Sequence, residues 1–225
     1  ALVALADRTP PDALQKEIVD AGGDALALAV DVTKSSEVSA MVERTLARFG
    51  RIDILVNVAG IVSVGNAETL AESEWDRVID INLKGTFLAC QAVIPCMRFR
   101  RYGRIINLGS VLGKNGGNPR PWIDRAEQDK AGNVAYGVSK AGVHAMTWYL
   151  AKELAADNIT VNAIAPGPVA SAMTTNFPET LKRLIPAGRM GSTNDVAEAA
   201  LFLASESTSF ITGEVMDVNG GMWCD

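Results

Sequence analysis

Short apolar runs alternate with longer amphipathic ones along the whole chain. Residues 2–6, 25–30, 53–58, 104–108, 160–165 and 215–218 have the length and composition of strands. The third is apolar through its centre, as expected of a parallel strand covered on both faces. Between them the spacing predicts helices over 10–21, 36–49, 72–81 with 83–100, 134–156, 178–184 and 194–205. Thr9 is the expected N-cap of the first helix and Gly22 its stop; Gly50 closes the second, and Pro95 is placed to kink the long third region. Such alternation argues for one α/β domain over residues 1–225, a parallel sheet with helices on both faces. Residues 112–133 and 166–177 read as irregular stretches with the length of lids or binding loops.

In open parallel sheets, ligands bind beyond the carboxyl ends of the strands. Asp7, Asp31-Val32, Asn57 to Gly60, Gly109-Ser110 and Pro166-Gly167 all follow strands here. Any one of them is ordinary turn chemistry; together, on one edge, they suggest a site. A carboxylate such as Asp7 can accept both ribose hydroxyls of a bound adenosine and would repel a 2′-phosphate, which favours NAD over NADP. Arg8, beside it, could accommodate that phosphate. Tyr136 and Lys140 stand four apart on a helix, hence on one face, where the ammonium is expected to lower the tyrosine pKa and fit it for acid/base work. Ser110 ends a strand and could hold a carbonyl or alcohol oxygen, and Asn82 interrupts a helical region that asparagine does not favour.

Composition removes several alternatives. His144 is the one histidine, so a two-histidine zinc site within the chain is excluded, and a Ser-His-Asp hydrolase would have to run through it. It reads as a packed histidine rather than a catalyst. No metal site is expected. The net charge of −5 offers no basic surface for nucleic acid or an anionic membrane. Three cysteines without a CxxC pair fit a reducing compartment, and no apolar run approaches the roughly 20 residues that span a bilayer. A cytoplasmic protein is expected.

With these residues in hand, the chain resembles the short-chain dehydrogenase/reductases. NVAG at 57–60, NLKGTF at 82–87, GRIINLGS at 103–110, YGVSK at 136–140, VNAIAPGPV at 161–169 and GEVMDVNGG at 213–221 stand in the family's order. The resemblance implies a Rossmann-like doubly wound parallel sheet in three α/β/α layers. It implies Tyr136 as catalytic acid/base, Lys140 lowering its pKa and holding the nicotinamide ribose, Ser110 orienting the substrate oxygen, and Asn82 anchoring a water of the proton relay. Asp31 and Val32 would flank the adenine, Asn57, Ala59 and Gly60 line the cofactor cleft, and Pro166, Gly167, Val169 and Ser171 reach the nicotinamide end. The implied partners are NAD, with NADP possible, and a small alcohol or ketone. Relatives are commonly homotetramers.

Three departures qualify the match. Val58 replaces a polar residue of the family motif, and Ser110 and Tyr136 are separated by 26 positions, about twice the usual interval. The extra residues, roughly 116–129, carry Pro, charge and one Trp and are expected over the active site. They suggest a small polar substrate, such as a polyol, sugar or hydroxy acid. A 3-oxoacyl-thioester reductase is the alternative, and a non-catalytic dinucleotide-binding regulator a second. The third departure is the family's first strand, glycine-rich turn and first helix, to which nothing here corresponds. The run at 2–6 aligns with the family's second strand, so roughly 30 residues are expected to precede Ala1. Without them, two strands would face each other across a slot lined by buried, unpaired backbone groups.

Overall fold

The computed structural model describes residues 1–117, 120–171, 174, 175 and 177–224. Six strands, β1 (Leu2–Asp7), β2 (Asp24–Ala29), β3 (Ile54–Asn57), β4 (Gly103–Leu108), β5 (Ile159–Pro166) and β6 (Val215–Val218), alternate with helices and pair only in parallel. This is the α/β Rossmann-like architecture expected.

The helices are α1 (Asp12–Asp20), α2 (Ser35–Phe49), α3 (Glu72–Ile79), α4 (Gly85–Arg100), α5 (Leu112–Asn115), α6 (Arg125–Ala131), α7 (Val134–Leu154), α8 (Glu179–Lys182) and α9 (Thr193–Ala204). α1 starts later than expected: Pro11 holds the N-cap position without a side-chain bond, and Thr9 instead donates its N–H to the Asp7 carboxylate at 3.1 Å. The stretch 112–133 is not irregular, since it carries α5 and α6. Asp124 caps α6 by accepting the Glu127 N–H at 2.8 Å. That Asp-x-x-Glu spacing is a helix-start signal the sequence reading passed over.

β4 and β5 form the core. On one face Ile105, Ile159 and Val161 pack with Cys90, Val93 and Met97 of α4 and Leu150, Ala151 and Leu154 of α7. On the other, Ile106 and Ile164 pack against Leu203 of α9.

The sheet comes in two pieces, β1-β2 and β3-β4-β5-β6. The first described strand is β1 at Leu2–Asp7, and among the described residues no strand pairs β1 with β3. Leu2 of β1 and Ile54 and Val56 of β3 are exposed, at 59%, 44% and 41%, so these strands meet solvent on one face. Among the described residues, no helix is long and apolar enough to cross a membrane.

Candidate active site

Within each sheet the strands run the same way, so their carboxyl ends share one edge, and the predicted residues follow those ends. The densest cluster joins the segment after β3, the α3–α4 junction, the β4–α5 turn and the start of α7.

Asn82 sits in a single turn of π-helix, Asp80–Lys84, that joins α3 to α4. Such a bulge aims a side chain that a regular helix would place elsewhere, and it is frequent at functional sites. Asn82 is 0% exposed. Its Oδ1 accepts the Ile61 N–H at 2.8 Å, and its Nδ2 donates to the Ile61 carbonyl and the Ser139 hydroxyl, each at 3.0 Å. One amide thus fixes the backbone after Gly60 and links it to α7. Ser139 in turn donates to the Tyr136 carbonyl at 2.7 Å.

Lys140 is buried, and its Nζ donates to the Leu108 carbonyl at 2.7 Å. Desolvation pushes this ammonium down to about 8. Tyr136 lies one turn earlier, with the Lys140 Nζ 5.8 Å from its ring centroid. Burial raises the phenol above its usual value, and a hydrogen bond with Ser110 works against that rise. The phenol thus stands above its usual value, where the sequence led to the expectation of a lowered one: the Lys140 ammonium is bonded to a backbone carbonyl, and withdrawal from water disfavours the phenolate.

Gly60 completes the cluster. A Cβ there would come 3.3 Å from the Asn82 Oδ1 and 3.5 Å from the Lys140 Nζ, so glycine lets the backbone pass close to both. Ser110 is buried at the end of the β4–α5 turn, and its hydroxyl accepts the Leu112 N–H at 3.2 Å.

Asp7 and Arg8 are exposed at the end of β1. Asp31 is held as a carboxylate, below its usual range, mainly by the Thr33 backbone N–H and then the Thr33 hydroxyl. Val32 packs against Gly85, where a Cβ would come within 2.7 Å of it. Pro166 and Gly167 continue the β5–β6 pairing, the Gly167 N–H reaching the Val218 carbonyl at 3.0 Å. Val169 bridges to Gly191, and Ser171 donates its N–H to Thr174. Of the 166–177 loop, 172, 173 and 176 lie outside the described residues, as do 118 and 119 of the insert. The insert is anchored to the segment after β3: Gly65 donates to the Gly132 carbonyl at 2.6 Å, and Arg125 pairs with Glu68.

The Asn57 side chain turns into the sheet, donating to Asn107 at 2.9 Å and reaching the Cys90 sulfur at 3.3 Å. Asn107 then donates to Thr147 on α7 at 2.9 Å. This buried polar tie of β3, β4, α4 and α7 went unpredicted, although a lone Asn inside the apolar run of β4 was a visible signal. His144, expected only to pack, accepts the Ser110 N–H through Nε2 at 3.3 Å. Ser139 was visible only as part of the YGVSK motif.

A family model described as enoyl-(acyl carrier protein) reductase matches residues 1–223. A 3-oxoacyl-(acyl-carrier-protein) reductase FabG of Thermotoga maritima is 40% identical over 215 residues, covering 94% of this chain and 82% of that one. The protein of the same name from Staphylococcus aureus strain Mu50 is 41% identical over 216 residues, with the same coverage. A solved chain from Burkholderia xenovorans, ascribed to the short-chain dehydrogenase/reductases, superposes with a TM-score of 0.89 at 36% identity, over 100% of this chain and 86% of that one. The chain belongs to the short-chain dehydrogenase/reductase family, oxidoreductases that act on CH–OH groups with NAD(P).

Proposed function

We propose that this chain reduces a 3-oxoacyl thioester to its 3-hydroxyacyl form, with Tyr136 as the acid and Ser110 holding the carbonyl oxygen. The carrying observation is that Ser110 stands near enough to Tyr136 to work against the rise burial imposes on its phenol, with Lys140 one turn behind on α7. The substrate class rests on the relatives of 40% and 41% identity, which favour the thioester over the polyol, sugar or hydroxy acid suggested by the charged insert.

The residues fit a nicotinamide ribose: Gly60 carries no side chain, and the Lys140 ammonium and the Asn82 amide stand beside its backbone. Bound NAD(P)H supplies the hydride. Ser110 and Tyr136 bind the carbonyl oxygen between two hydroxyls, and the Tyr136 Oη gives up its proton as that oxygen becomes an alcohol. In the oxidative direction Tyr136 takes the proton back. Lys140 would hold the ribose, and its charge would oppose the rise that burial imposes on the phenol. Asn82 keeps Ile61 and Ser139 in place, and with them the face of α7 that carries Tyr136 and Lys140.

For the cofactor, NAD(H) is the first reading because Asp7 closes β1 with a carboxylate, and Arg8 keeps NADP(H) as the second. Asp31 and Val32 would border the adenine, Ala59 and Gly60 the cleft, and Pro166, Gly167, Val169 and Ser171 the nicotinamide end. A homotetramer is the assembly that the family resemblance implies. The test is turnover of acetoacetyl thioesters with NADH and NADPH beside a panel of polyols and hydroxy acids with NAD. Thioester reduction supports the proposal. Turnover of the polar alcohols alone would replace it with the polyol reading, and no turnover with any substrate would favour a regulator.

A further inference from the structure

The turn after β4 is held from two sides. Gly109 and Val111 donate their N–H groups to the Ile164 and Pro166 carbonyls of β5, at 2.8 and 3.0 Å. The amide between them, that of Ser110, points away from β5, as alternation along a strand requires. β3 has already ended at Asn57, and Ser110 is buried. Its N–H is met instead by Nε2 of His144, one turn beyond Lys140 on α7 and 2% exposed. The chain is shaped around that ring. A Cβ on Gly109 would collide with the His144 Nε2, and one on Gly113 would lie 2.9 Å from its Cε1.

We propose that His144 is the positioning residue of Ser110: its neutral imidazole, protonated on Nδ1, accepts the Ser110 amide and so keeps the Ser110 hydroxyl on Tyr136. An Nε2 that accepts an N–H carries no proton itself, which assigns the tautomer. A ring that only filled space would need neither this tautomer nor an acceptor at that point. The inference rests on the reading of Ser110 and Tyr136 as the reacting pair, but its first test does not.

Because His144 is the one histidine, the nitrogen-15 spectrum of the tag-free full chain holds a single imidazole. At neutral pH it should show Nδ1 protonated and Nε2 bare. A proton on Nε2 overturns the proposal whether or not the enzyme turns over. In kinetics, His144→Leu removes the acceptor, whereas His144→Gln can offer its amide oxygen near the same place. The leucine variant should lose about tenfold or more in kcat, through displacement of Ser110, with the KM for the cofactor unchanged. The glutamine variant should recover most of that loss. Wild-type kcat in His144→Leu, or equal losses in both folded variants, contradicts positioning. If the leucine variant does not fold, the spectrum and His144→Gln decide. A wild-type chain with no turnover defeats the proposed reaction, while the tautomer still tests the His144–Ser110 bond.

Discussion

The Lys140 Nζ bonds the Leu108 carbonyl at 2.7 Å and lies 5.8 Å from the centre of the Tyr136 ring. The lysine thereby ties α7 to the end of β4, and it is buried enough that its charge is disfavoured. The folded chain holds its proton with a pKa of about 8, against 10.5 for an ordinary lysine. Between those values the unfolded chain binds more protons than the folded one, so this group makes stability rise with pH from about 8 to 10.5. Below about 8 the burial penalty is present in full. Urea unfolding at pH 7.5, 8.5 and 9.5 (all roughly chosen to span that window) should show the wild type gaining on Lys140→Met as pH rises. A constant difference would refute the assignment.

Ser110 counters the rise burial imposes on Tyr136. Ser110→Ala should therefore move the Tyr136 titration further up, and carry the pH dependence of kcat the same way. Losing one hydroxyl from the carbonyl-binding pair should also lower kcat by about 10²-fold. Ultraviolet titration of tyrosinate and the pH–rate profile read the two effects separately.

Asn82 satisfies both backbone groups of Ile61 from a fully buried position. Asn82→Ala leaves that N–H and carbonyl without their partner and should cost about 2–4 kcal/mol in unfolding free energy. Asn82→Asp keeps the acceptor but loses the donor to Ile61 and Ser139, so it should not restore the wild-type midpoint in chemical denaturation.

Gly60 is placed to report cofactor binding. A methyl group there stands in ordinary to tight contact with Asn82 and Lys140, at 3.3 and 3.5 Å, so the fold should tolerate it. Gly60→Ala should raise the cofactor KM several-fold with a melting temperature close to wild type. An unchanged KM would mean that the cofactor lies elsewhere.

Much of the scaffold was legible in the chain because strand and helix periodicities differ and its glycines and prolines punctuate them. The six strands and the α7 face carrying Tyr136 and Lys140 appeared on that basis. The joining of Ser110 to Tyr136 across the insert was legible only through the family motifs, since contacts between distant segments leave no periodic trace. α6 was missed because Asp124 was read as part of a charged loop rather than as a cap. The polar chain Asn57–Asn107–Thr147 and the His144–Ser110 bond were missed for a related reason. A buried polar residue looks the same in sequence whether it faces a ligand or a neighbouring strand, and only the packing decides. The burial of Tyr136 and Lys140, which reverses the expected direction of the phenol pKa, is likewise a property of three dimensions.

The most direct measurement replaces the Tyr136 hydroxyl alone. Tyr136→Phe keeps the ring and its packing, so the dissociation constant for NADH or NADPH, followed by nicotinamide fluorescence, should stay within about twofold of wild type. Turnover of acetoacetyl thioester should fall by about 10³-fold or more, the loss expected when a general acid is removed. Turnover at the wild-type rate in Tyr136→Phe would contradict the assignment of Tyr136 as the proton donor.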